Sequence, residues 1–259
     1  SLTIILKDCD IKMMNKISAV IITKNEEQNI QRCIESVLFL DEIIVYDSGS
    51  SDQTVAIASK LGAQVTVGPW MGFGPTKRHA TRLATHDWIL SIDADEEVSV
   101  ELKNELLQRR ESLQPELGYR LPRLSYYLKK WIHHGGWYPD YQLRLFNRQY
   151  SQWNEEMIHE KVKSKSTDNF LSDLNHYVFE NIDHQVQTNN RYSTLQAIEM
   201  HKNGKKFSWF HFLTKPYVKF IECYFLKLGF LDGWAGYLIA RNAAYSVLLK
   251  WAKLKELQA

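Results

Sequence analysis

Residues 17–47 have the sequence ISAVIITKNEEQNIQRCIESVLFLDEIIVYD, and this stretch decides the fold. Its first seven residues are mostly apolar and β-branched, which predicts a buried strand that ends at Thr23. Apolar side chains then recur at helical spacing from Ile30 to Leu38, and Asn25 is placed to cap the start of that helix. A second strand is predicted over residues 43–46. A strand, a helix and a strand in this order are typical of a parallel sheet.

The alternation of strands and helices continues beyond these residues. Ser50 and Gln53 have the spacing of a capping box ahead of a helix that runs to about Leu61. A strand, a helix and a strand follow, predicted over residues 64–67, 75–84 and 88–92. We therefore expect an α/β fold with a mostly parallel sheet that is covered by helices on both faces.

The distribution of charge is uneven along the chain. The 259 residues carry a net charge of only +2, but residues 201–259 hold ten Lys or Arg against three Asp or Glu, which is +7 and leaves −5 for the rest. The same stretch holds thirteen of the thirty-two aromatic residues. A basic, aromatic-rich end predicts contact with an anionic surface, either nucleic acid or lipid headgroups.

Three cysteines, Cys9, Cys33 and Cys223, lie far apart and form no CxxC pair. Such a set predicts a reduced, cytosolic compartment and argues against a structural zinc site. We find neither a signal peptide nor an uncharged apolar run of about 18 residues, so no membrane span is predicted. Residues 1–16 match no element and are expected to form a poorly ordered leader, with Met13 and Met14 as alternative start residues.

Three polar residues, Thr23, Asp47 and Asp93, fall at the carboxyl ends of predicted strands, where ligands of parallel sheets bind. Asp93 and Asp95 are two residues apart, so on a strand both carboxylates would project to one side and suit a hard divalent cation. The alternative is a solvated strand end that continues into Glu96 and Glu97 as the acidic start of a helix.

Asp47 and Lys77 each have two interpretations. Asp47 either caps the turn that follows it or accepts a hydrogen bond from a nucleobase. Lys77 and Arg78 open a helix after a segment that contains glycines, and they are either solvated charges or contacts for phosphate at the helix N-terminus. No GxGxxG motif follows the first strand and no GxxxxGK[ST] motif occurs, which excludes classical dinucleotide-binding and P-loop sites.

Four segments in order, ISAVIITKNEEQNI, IIVYDSGSSDQT, GPTKRHA and WILSIDADEE, resemble inverting glycosyltransferases of family 2, which have the GT-A fold. The match covers roughly residues 17–100 in order and spacing. Three later segments, WYPDYQLRLFNR, MIHEKV and FLKLGFLDGWAGYLIA, resemble the subgroup that adds β-1,4-glucose to heptose in the lipopolysaccharide inner core. The QxxRW signature of processive polysaccharide synthases is absent, so a single addition is expected.

The resemblance implies roles for the residues at the strand ends. It assigns the uridine of a UDP-sugar to Thr23, Asn25, Glu26 and Asp47. It places Lys77 near the diphosphate, and Asp93 near the ribose and a divalent metal ion, Mg²⁺ or Mn²⁺, whose principal ligand is Asp95. One departure is Lys24, where many relatives carry Tyr, and it puts in doubt the stacking of an aromatic ring on the base.

Inversion requires a base that takes the proton of the acceptor hydroxyl. The candidates are four acidic residues, Asp140, Glu155, Glu156 and Glu160. Glu160 resembles the position at which the family places its catalytic acid, and the alternative is a strand-edge Glu paired with Lys161 or Lys163. His159 either orients the acceptor or is a hydrogen-bonded structural residue. Arg144 and Arg148 either bind phosphate groups of a substrate or are surface charges.

The carboxy-terminal stretch has apolar residues at helical spacing from Leu213 to Leu228, with three lysines (Lys215, Lys219 and Lys227) largely off that stripe. Packing on its own domain is the ordinary interpretation of such a stripe. The charge and the aromatic residues, among them Trp209, Trp234 and Trp251, favour helices that lie on anionic lipid.

The predicted organisation has four parts: the leader (1–16), a nucleotide-sugar-binding half (17–117), an acceptor-binding half (118–190) and a helical membrane-surface region (191–259). The predicted function is metal-dependent transfer of a hexose, glucose by resemblance, from a UDP-sugar to a heptose of the lipopolysaccharide inner core. The alternatives are transfer to polyprenyl phosphate or another membrane glycan, and a non-catalytic membrane scaffold. The expected location is the cytoplasm, peripheral on the inner face of the bacterial inner membrane, without nucleic acid as a partner.

Overall fold

The computed structural model describes residues 14–154, 160–179 and 181–259. They form two compact units, one made of the described residues up to Leu121 and Leu143–Ser172, the other of Pro122–Gln142 and Asp173–Ala259. The predicted acceptor-binding half is therefore divided between both units. Most of the predicted leader lies outside the described residues, as do Cys9, Glu155, Glu156 and His159.

The strands are numbered in chain order. They are β1 (Ile17–Thr23), β2 (Glu42–Asp47), β3 (Gln64–Val67), β4 (Trp88–Asp93), β5 (Glu96–Val98), β6 (Leu117–Tyr127), β7 (Lys130–Ile132), β8 (Asp140–Asn147), β9 (Gln152–Trp153), β10 (Val162–Lys163), β11 (Ser166–Asn169) and β12 (Leu174–Tyr177). The α-helices are α1 (Ile30–Val37), α2 (Thr54–Lys60), α3 (Phe73–Leu83), α4 (Val100–Arg109), α5 (Ile182–Lys202), α6 (Trp209–Ile221) and α7 (Gly233–Glu256).

The first unit is built on a sheet with β1 at its centre. β1 is buried along its whole length and pairs in parallel with β2 and β4, while β3 lies outside β2 and β8 runs antiparallel to β4. In this register Thr23 lies opposite Asp47, and Ile22 lies opposite Asp93. The three predicted strand-end residues therefore meet at one edge, and the predicted α/β fold with a mostly parallel sheet is confirmed.

Two predicted helix starts are wrong. α1 begins at Ile30 with Asn29 as its N-cap residue, because Asn25 adopts a left-handed conformation (φ 55°) in the preceding loop. α2 begins at Thr54, and the Ser50 hydroxyl donates to Asp47 instead of capping this helix. The side chains of the two loops thus bond to the neighbouring loop or turn, a competition with helix capping that Ser and Asn commonly enter.

The acidic segment after β4 does not begin a helix, which was the alternative interpretation of Asp93 and Asp95. Glu96 begins the short strand β5 and does not open a helix. The next helix, α4, starts after Ser99, whose hydroxyl accepts a hydrogen bond from the Leu102 amide at 3.0 Å. Asp95 lies in the turn between β4 and β5, so the strand alternation assumed for Asp93 and Asp95 stops at Asp93.

The second unit joins a small sheet to three helices. β6 turns back into β7 through Leu128 and Lys129, both with positive φ, and β12 pairs in parallel with β6. α7 packs against α5 and α6 and buries residues such as Ile239 and Ala240. Within the described ranges, no helix is both long enough and apolar enough to cross a membrane.

Candidate active site

The edge formed by the ends of β1 and β2 carries two hydroxyls that lack partners. Thr23 Oγ1 and Ser48 Oγ are buried and have no hydrogen-bond partner among the described residues. The backbones beside them are tied together, because the Ser48 amide donates to the Thr23 carbonyl at 2.9 Å. Since buried polar groups are nearly always satisfied, two unsatisfied hydroxyls at a strand edge suit contact with a polar ligand.

Asp47 shapes the turn at this edge. Its carboxylate is fully buried and accepts hydrogen bonds from the amides of Gly49 (2.9 Å) and Ser50 (2.8 Å), and from the Ser50 hydroxyl. Gly49 has φ of 85°, which glycine adopts without steric cost. The geometry supports the turn-capping interpretation of Asp47, and its contact with a nucleobase stays a prediction.

Asn25 and Glu26 connect the loop after β1 to the loop after β2. The Asn25 amide donates to Ser50 Oγ at 2.8 Å, and Asn25 Oδ1 accepts from the Ser51 amide at 2.8 Å. The Glu26 amide donates to Thr54 Oγ1 at 2.8 Å. These bonds give Asn25 and Glu26 a structural role, because they hold the loops after β1 and β2 beside each other.

Lys77 is the centre of an ion-pair network beyond β4. α3 carries this lysine, whose side chain is only 2% exposed. Its Nζ lies 2.9 Å from Asp93 Oδ1 and 3.3 Å from Glu160 Oε1. Lys77 therefore connects the predicted metal and ribose ligand to the predicted catalytic base, although these residues are far apart in sequence.

Arg144 on β8 extends the network on the other side of Asp93. One guanidinium nitrogen, Nη2, lies 2.7 Å from Asp93 Oδ2 and 2.6 Å from Glu96 Oε1. The side chain of Arg144 is 4% exposed and that of Glu96 is fully buried. Arg144 is therefore not a surface charge, and because its Nε has no hydrogen-bond partner among the described residues, contact with a phosphate group stays a prediction.

The electrostatics of the network favour its charged form. Burial opposes ionisation of Asp93, but the positive charges of Lys77 and Arg144 outweigh it and hold the pKa of this carboxyl well below its usual range. Burial likewise opposes the charge on Arg144, while Glu96 and Asp93 raise its pKa further above the ordinary value. Asp93 is thus anionic at any physiological pH, with its carboxylate shared by two cations.

The structure also bears on the predicted metal ion. No group of three His, Cys, Asp or Glu side chains in the described part of the chain is arranged to hold a metal. Asp93 is paired with Lys77 and Arg144, and Asp95 lies partly exposed in the turn that follows β4, so Asp95 stays the predicted principal ligand. One protein carboxylate suffices only if a diphosphate and water complete the oxygen shell, as Mg²⁺ commonly allows.

The remaining predicted residues have other surroundings. Asp140 belongs to the second unit, where it accepts hydrogen bonds from Arg123 (2.6 Å) and Gln142 (2.7 Å). Arg148 donates to the carbonyl of Ala84 at the end of α3 and lies 3.2 Å from Asp87, which is a structural role. The prediction for His159 lies outside the described residues.

Two residues of the network were not anticipated as functional. Glu96 was interpreted only as the start of a helix, although its position one residue after Asp95 could have indicated a place in the same charged cluster. The ring of Trp153 lies beside this ion-pair network, with Lys77 Nζ 4.8 Å from the ring centroid. No sequence pattern indicated this contact, which depends on the packing of β9 against α3.

Comparisons with known proteins show the family to which this chain belongs. Residues 18–159 match the family described as Glycosyl transferase family 2. An uncharacterised glycosyltransferase of Rickettsia bellii (strain RML369-C) is 37% identical over 263 residues, which cover 95% of this chain and 88% of the relative. The chain therefore belongs to glycosyltransferase family 2, and it is an enzyme of the glycosyltransferase class.

One relative has a more specific description. The lipopolysaccharide core biosynthesis glycosyltransferase LpsC of Rhizobium meliloti (strain 1021) is 28% identical over 256 residues, which cover 94% of this chain and 93% of the relative. Among solved structures, TarS of S. aureus aligns with 71% of this chain and 39% of that chain, with a TM-score of 0.44 and 15% identity. That alignment is too partial to bear on the substrate.

Proposed function

We propose that this glycosyltransferase moves a hexose, glucose by resemblance, from a UDP-sugar to a heptose of a lipopolysaccharide inner core, with inversion at the anomeric carbon. The observation that carries the proposal is the position of Lys77 between Asp93 and Glu160. Asp93, which is assigned to donor binding, and Glu160, which is assigned to proton transfer, both contact this lysine. The similarity to LpsC supports a lipopolysaccharide-core acceptor.

In the proposed reaction the acceptor hydroxyl oxygen forms a bond to the anomeric carbon while the bond from that carbon to the diphosphate oxygen breaks. The hydroxyl proton passes to the Glu160 carboxylate, and UDP leaves with the bonding electrons. Lys77 holds Glu160 in place through its ion pair. At the strand edge, the unsatisfied Thr23 hydroxyl is available to the nucleoside.

A divalent cation, when bound, neutralises charge that develops on the departing diphosphate. Asp95 would hold it, and the diphosphate would supply further oxygen ligands. Asp93 would act chiefly by keeping Lys77 and Arg144 in position.

The function is tested by a donor screen that measures UDP release with and without purified core lipopolysaccharide. We expect UDP-glucose to be turned over faster when the acceptor is present, and the product to have the inverted anomeric configuration by NMR. Turnover with polyprenyl phosphate instead of core lipopolysaccharide would change the proposed acceptor. Absence of turnover with every donor and acceptor would contradict the proposal.

Metal dependence is a separate expectation. Addition of EDTA should lower UDP release at least about hundredfold, because the charge of the leaving diphosphate would be uncompensated, and Mg²⁺ or Mn²⁺ should restore it. Asp95→Ala should lower turnover to a similar extent and leave the protein folded, as measured by thermal unfolding. Full activity in the presence of chelator would exclude a metal role for Asp95.

We also propose that α6 and the following residues lie on a membrane surface at the inner face of the inner membrane. None of the residues of α6 is buried, and its large apolar side chains are mostly solvent-exposed, for example Phe210 (71%) and Tyr217 (73%). Trp234 is also largely exposed. Apolar patches of this kind are rare on proteins that have no partner for them.

Two details modify the predicted electrostatic attachment. Trp251 is buried and stacks on His211, so it cannot be a headgroup anchor. Lys219 and Lys227 both form ion pairs with Glu222, at 3.1 and 2.6 Å, which offsets part of their charge. The apolar residues of α6 are therefore expected to contribute more to binding than the lysines.

Sedimentation with liposomes tests this attachment. Phe210→Ser combined with Leu213→Ser should weaken binding to neutral and anionic vesicles by at least about hundredfold, since each exposed side chain would lose roughly 1.5–3 kcal/mol of burial in lipid. Lys215→Glu should weaken binding to anionic vesicles only, by roughly 2 kcal/mol for the reversed charge. Leu171→Ser, at an exposed leucine of the first unit, is the matched control. Failure of the wild-type protein to sediment would refute the proposal.

A further inference from the structure

Helices α6 and α7 of the second unit form an antiparallel pair, and two ring contacts fix how they lie beside each other. Near the start of α6, His211 stacks on Trp251 with the ring centroids 5.1 Å apart. Near its end, Phe220 meets Tyr237 edge to face at 6.0 Å. The start of α6 therefore lies beside the end of α7, and the stretches between the two contacts run side by side.

Three lysines converge on this helix pair. Lys215 and Lys219 are four residues apart on α6 and so lie on one face of that helix. Lys250 comes one residue before Trp251 on α7. Because helical side chains tilt toward the N-terminus of their own helix, the Lys250 side chain leads from the level of His211 toward that of Lys215. We call Lys215, Lys219 and Lys250 the lysine cluster.

The surroundings of Lys250 agree with this arrangement. The residue is partly buried, and its burial lowers the pKa of the ammonium group, which the positive charges of Lys219 and Lys215 lower further. α6 contains no Asp or Glu, and the only one in α7 is Glu256, its last residue. Lys250 is therefore held near other cations on two helices that provide almost no compensating charge.

The charge of the lysine cluster is compensated only in part. Glu222, which directly follows α6, lies 3.1 Å from Lys219 and 2.6 Å from Lys227, so both share its charge. Lys215 and Lys250 have no hydrogen-bond or ion-pair partner among the described residues. Even when Glu222 is counted wholly against Lys219, two positive charges remain. Since like charges on neighbouring helical positions repel each other, the arrangement suits an anionic ligand.

Exposed apolar side chains flank the lysine cluster. Leu213, Tyr217 and Val218 of α6 are each more than half exposed. Apolar side chains that alternate with cations are typical of a helix at the boundary between headgroups and acyl chains, where the apolar groups enter the lipid and the cations meet the headgroups. The neighbours of the cluster therefore favour a lipid over a free anion as its occupant.

We propose that the lysine cluster binds the phosphomonoester headgroup of an anionic lipid, an inference that rests on the proposed attachment of α6 to a membrane. A phosphomonoester carries about −1.5 to −2 charges at pH 7 and offers three acceptor oxygens, whereas a phosphodiester carries less charge and has fewer free oxygens. Ammonium groups bind phosphate as mobile point charges, so the charge of the headgroup decides which lipid is preferred. The cluster thus adds a choice of headgroup to the general attraction toward anionic lipid.

Sedimentation with two kinds of phosphatidylcholine vesicle tests the site. One kind contains phosphatidic acid and the other phosphatidylserine, in amounts that give equal zeta potential. The wild-type chain should bind the phosphatidic acid vesicles about tenfold more tightly, through charge-assisted hydrogen bonds to the additional phosphate oxygens. Lys250→Gln should bind both kinds equally. Lys202→Gln removes the same charge from an exposed position on α5 and should keep the preference.

The stability of Lys250→Gln distinguishes a binding role from a structural one. Because Lys250 has no partner and is repelled by its neighbours, the variant should have a urea midpoint no lower than that of the wild type in the absence of lipid. A lower midpoint would contradict the description of an uncompensated cluster.

The remaining outcomes separate the headgroup site from the membrane attachment. Equal sedimentation of the wild type with both kinds of vesicle, or a preference that Lys250→Gln retains, would overturn the headgroup site and leave the attachment of α6 intact. Failure to sediment with any vesicle would refute both. Calorimetry that shows inorganic phosphate binding as tightly as the phosphatidic acid vesicles would remove the lipid as the occupant.

Discussion

Glu160→Gln is expected to retain binding of UDP-sugar and to lose about 10²-fold or more in turnover, the usual contribution of a general base. Glutamine keeps the shape of the side chain and an oxygen that can accept a hydrogen bond from Lys77, which lies 3.3 Å from Glu160 Oε1. It cannot take the proton of the acceptor hydroxyl. The change should therefore appear in kcat, measured by UDP release, and not in the Kd for UDP measured by calorimetry.

Two further variants make this prediction specific. Glu101→Gln, at an exposed position in the first turn of α4, should leave turnover unchanged. Asp140→Asn tests the competing carboxylate, whose partners are Arg123 and Gln142. Normal turnover by Glu160→Gln together with loss of activity in Asp140→Asn would assign the base to Asp140.

Arg144→Met is expected to lower the free energy of unfolding by about 3–5 kcal/mol, the usual cost of breaking a buried ion pair by removal of one partner. The Glu96 side chain is fully buried and lies 2.6 Å from Arg144, so without the guanidinium it would be a buried carboxylate that has lost its cation. Among the described residues, Asp93 would keep Lys77 as its cationic partner. Urea denaturation measures the loss, and Lys60→Met at an exposed site should change stability by less than about 0.5 kcal/mol.

The pH dependence of this loss follows from the direction of the Asp93 shift. Because the folded-state pKa of Asp93 is lowered, its contribution to stability is present above the pKa of the unfolded chain and is lost only as the pH falls through the lower folded value. The difference between wild type and Arg144→Met should be largest near neutral pH. It should shrink below about pH 4, where carboxyls without cations take up protons. A difference that is independent of pH, or a variant as stable as Lys60→Met, would contradict this account of Arg144.

Much of the first unit could be predicted from local patterns. β1, β2 and β4 are short apolar runs rich in β-branched residues, and a run of this kind forms a strand whatever its distant neighbours are. Since parallel strands end at one edge, the meeting of Thr23, Asp47 and Asp93 followed from the order of the elements. Membership of glycosyltransferase family 2 was likewise visible in four ordered segments.

Loop geometry could not be predicted in the same way. Asn25 and Ser50 each had the residue type and spacing of a helix cap, but their side chains bond between the loops that follow β1 and β2. A helix cap is a hydrogen bond between residues close in sequence. A competing hydrogen bond to another loop cannot be predicted from local sequence, because it forms only when the strands place the two loops side by side. The strand alternation assumed for Asp93 and Asp95 failed for a related reason, because β4 ends at Asp93 and Asp95 lies in the following turn.

The sequence alone therefore determined the layered α/β fold, the edge at which the site forms and the chemical class of the enzyme. Only the tertiary structure decided that Lys77 is buried between Asp93 and Glu160, that Arg144 pairs with Glu96, and that the ring of Trp153 lies beside Lys77. The physical reason is that a buried charge is tolerated only when its partners come into contact with it. Those partners lie up to 83 residues away in this chain, beyond the range of any helical or strand period.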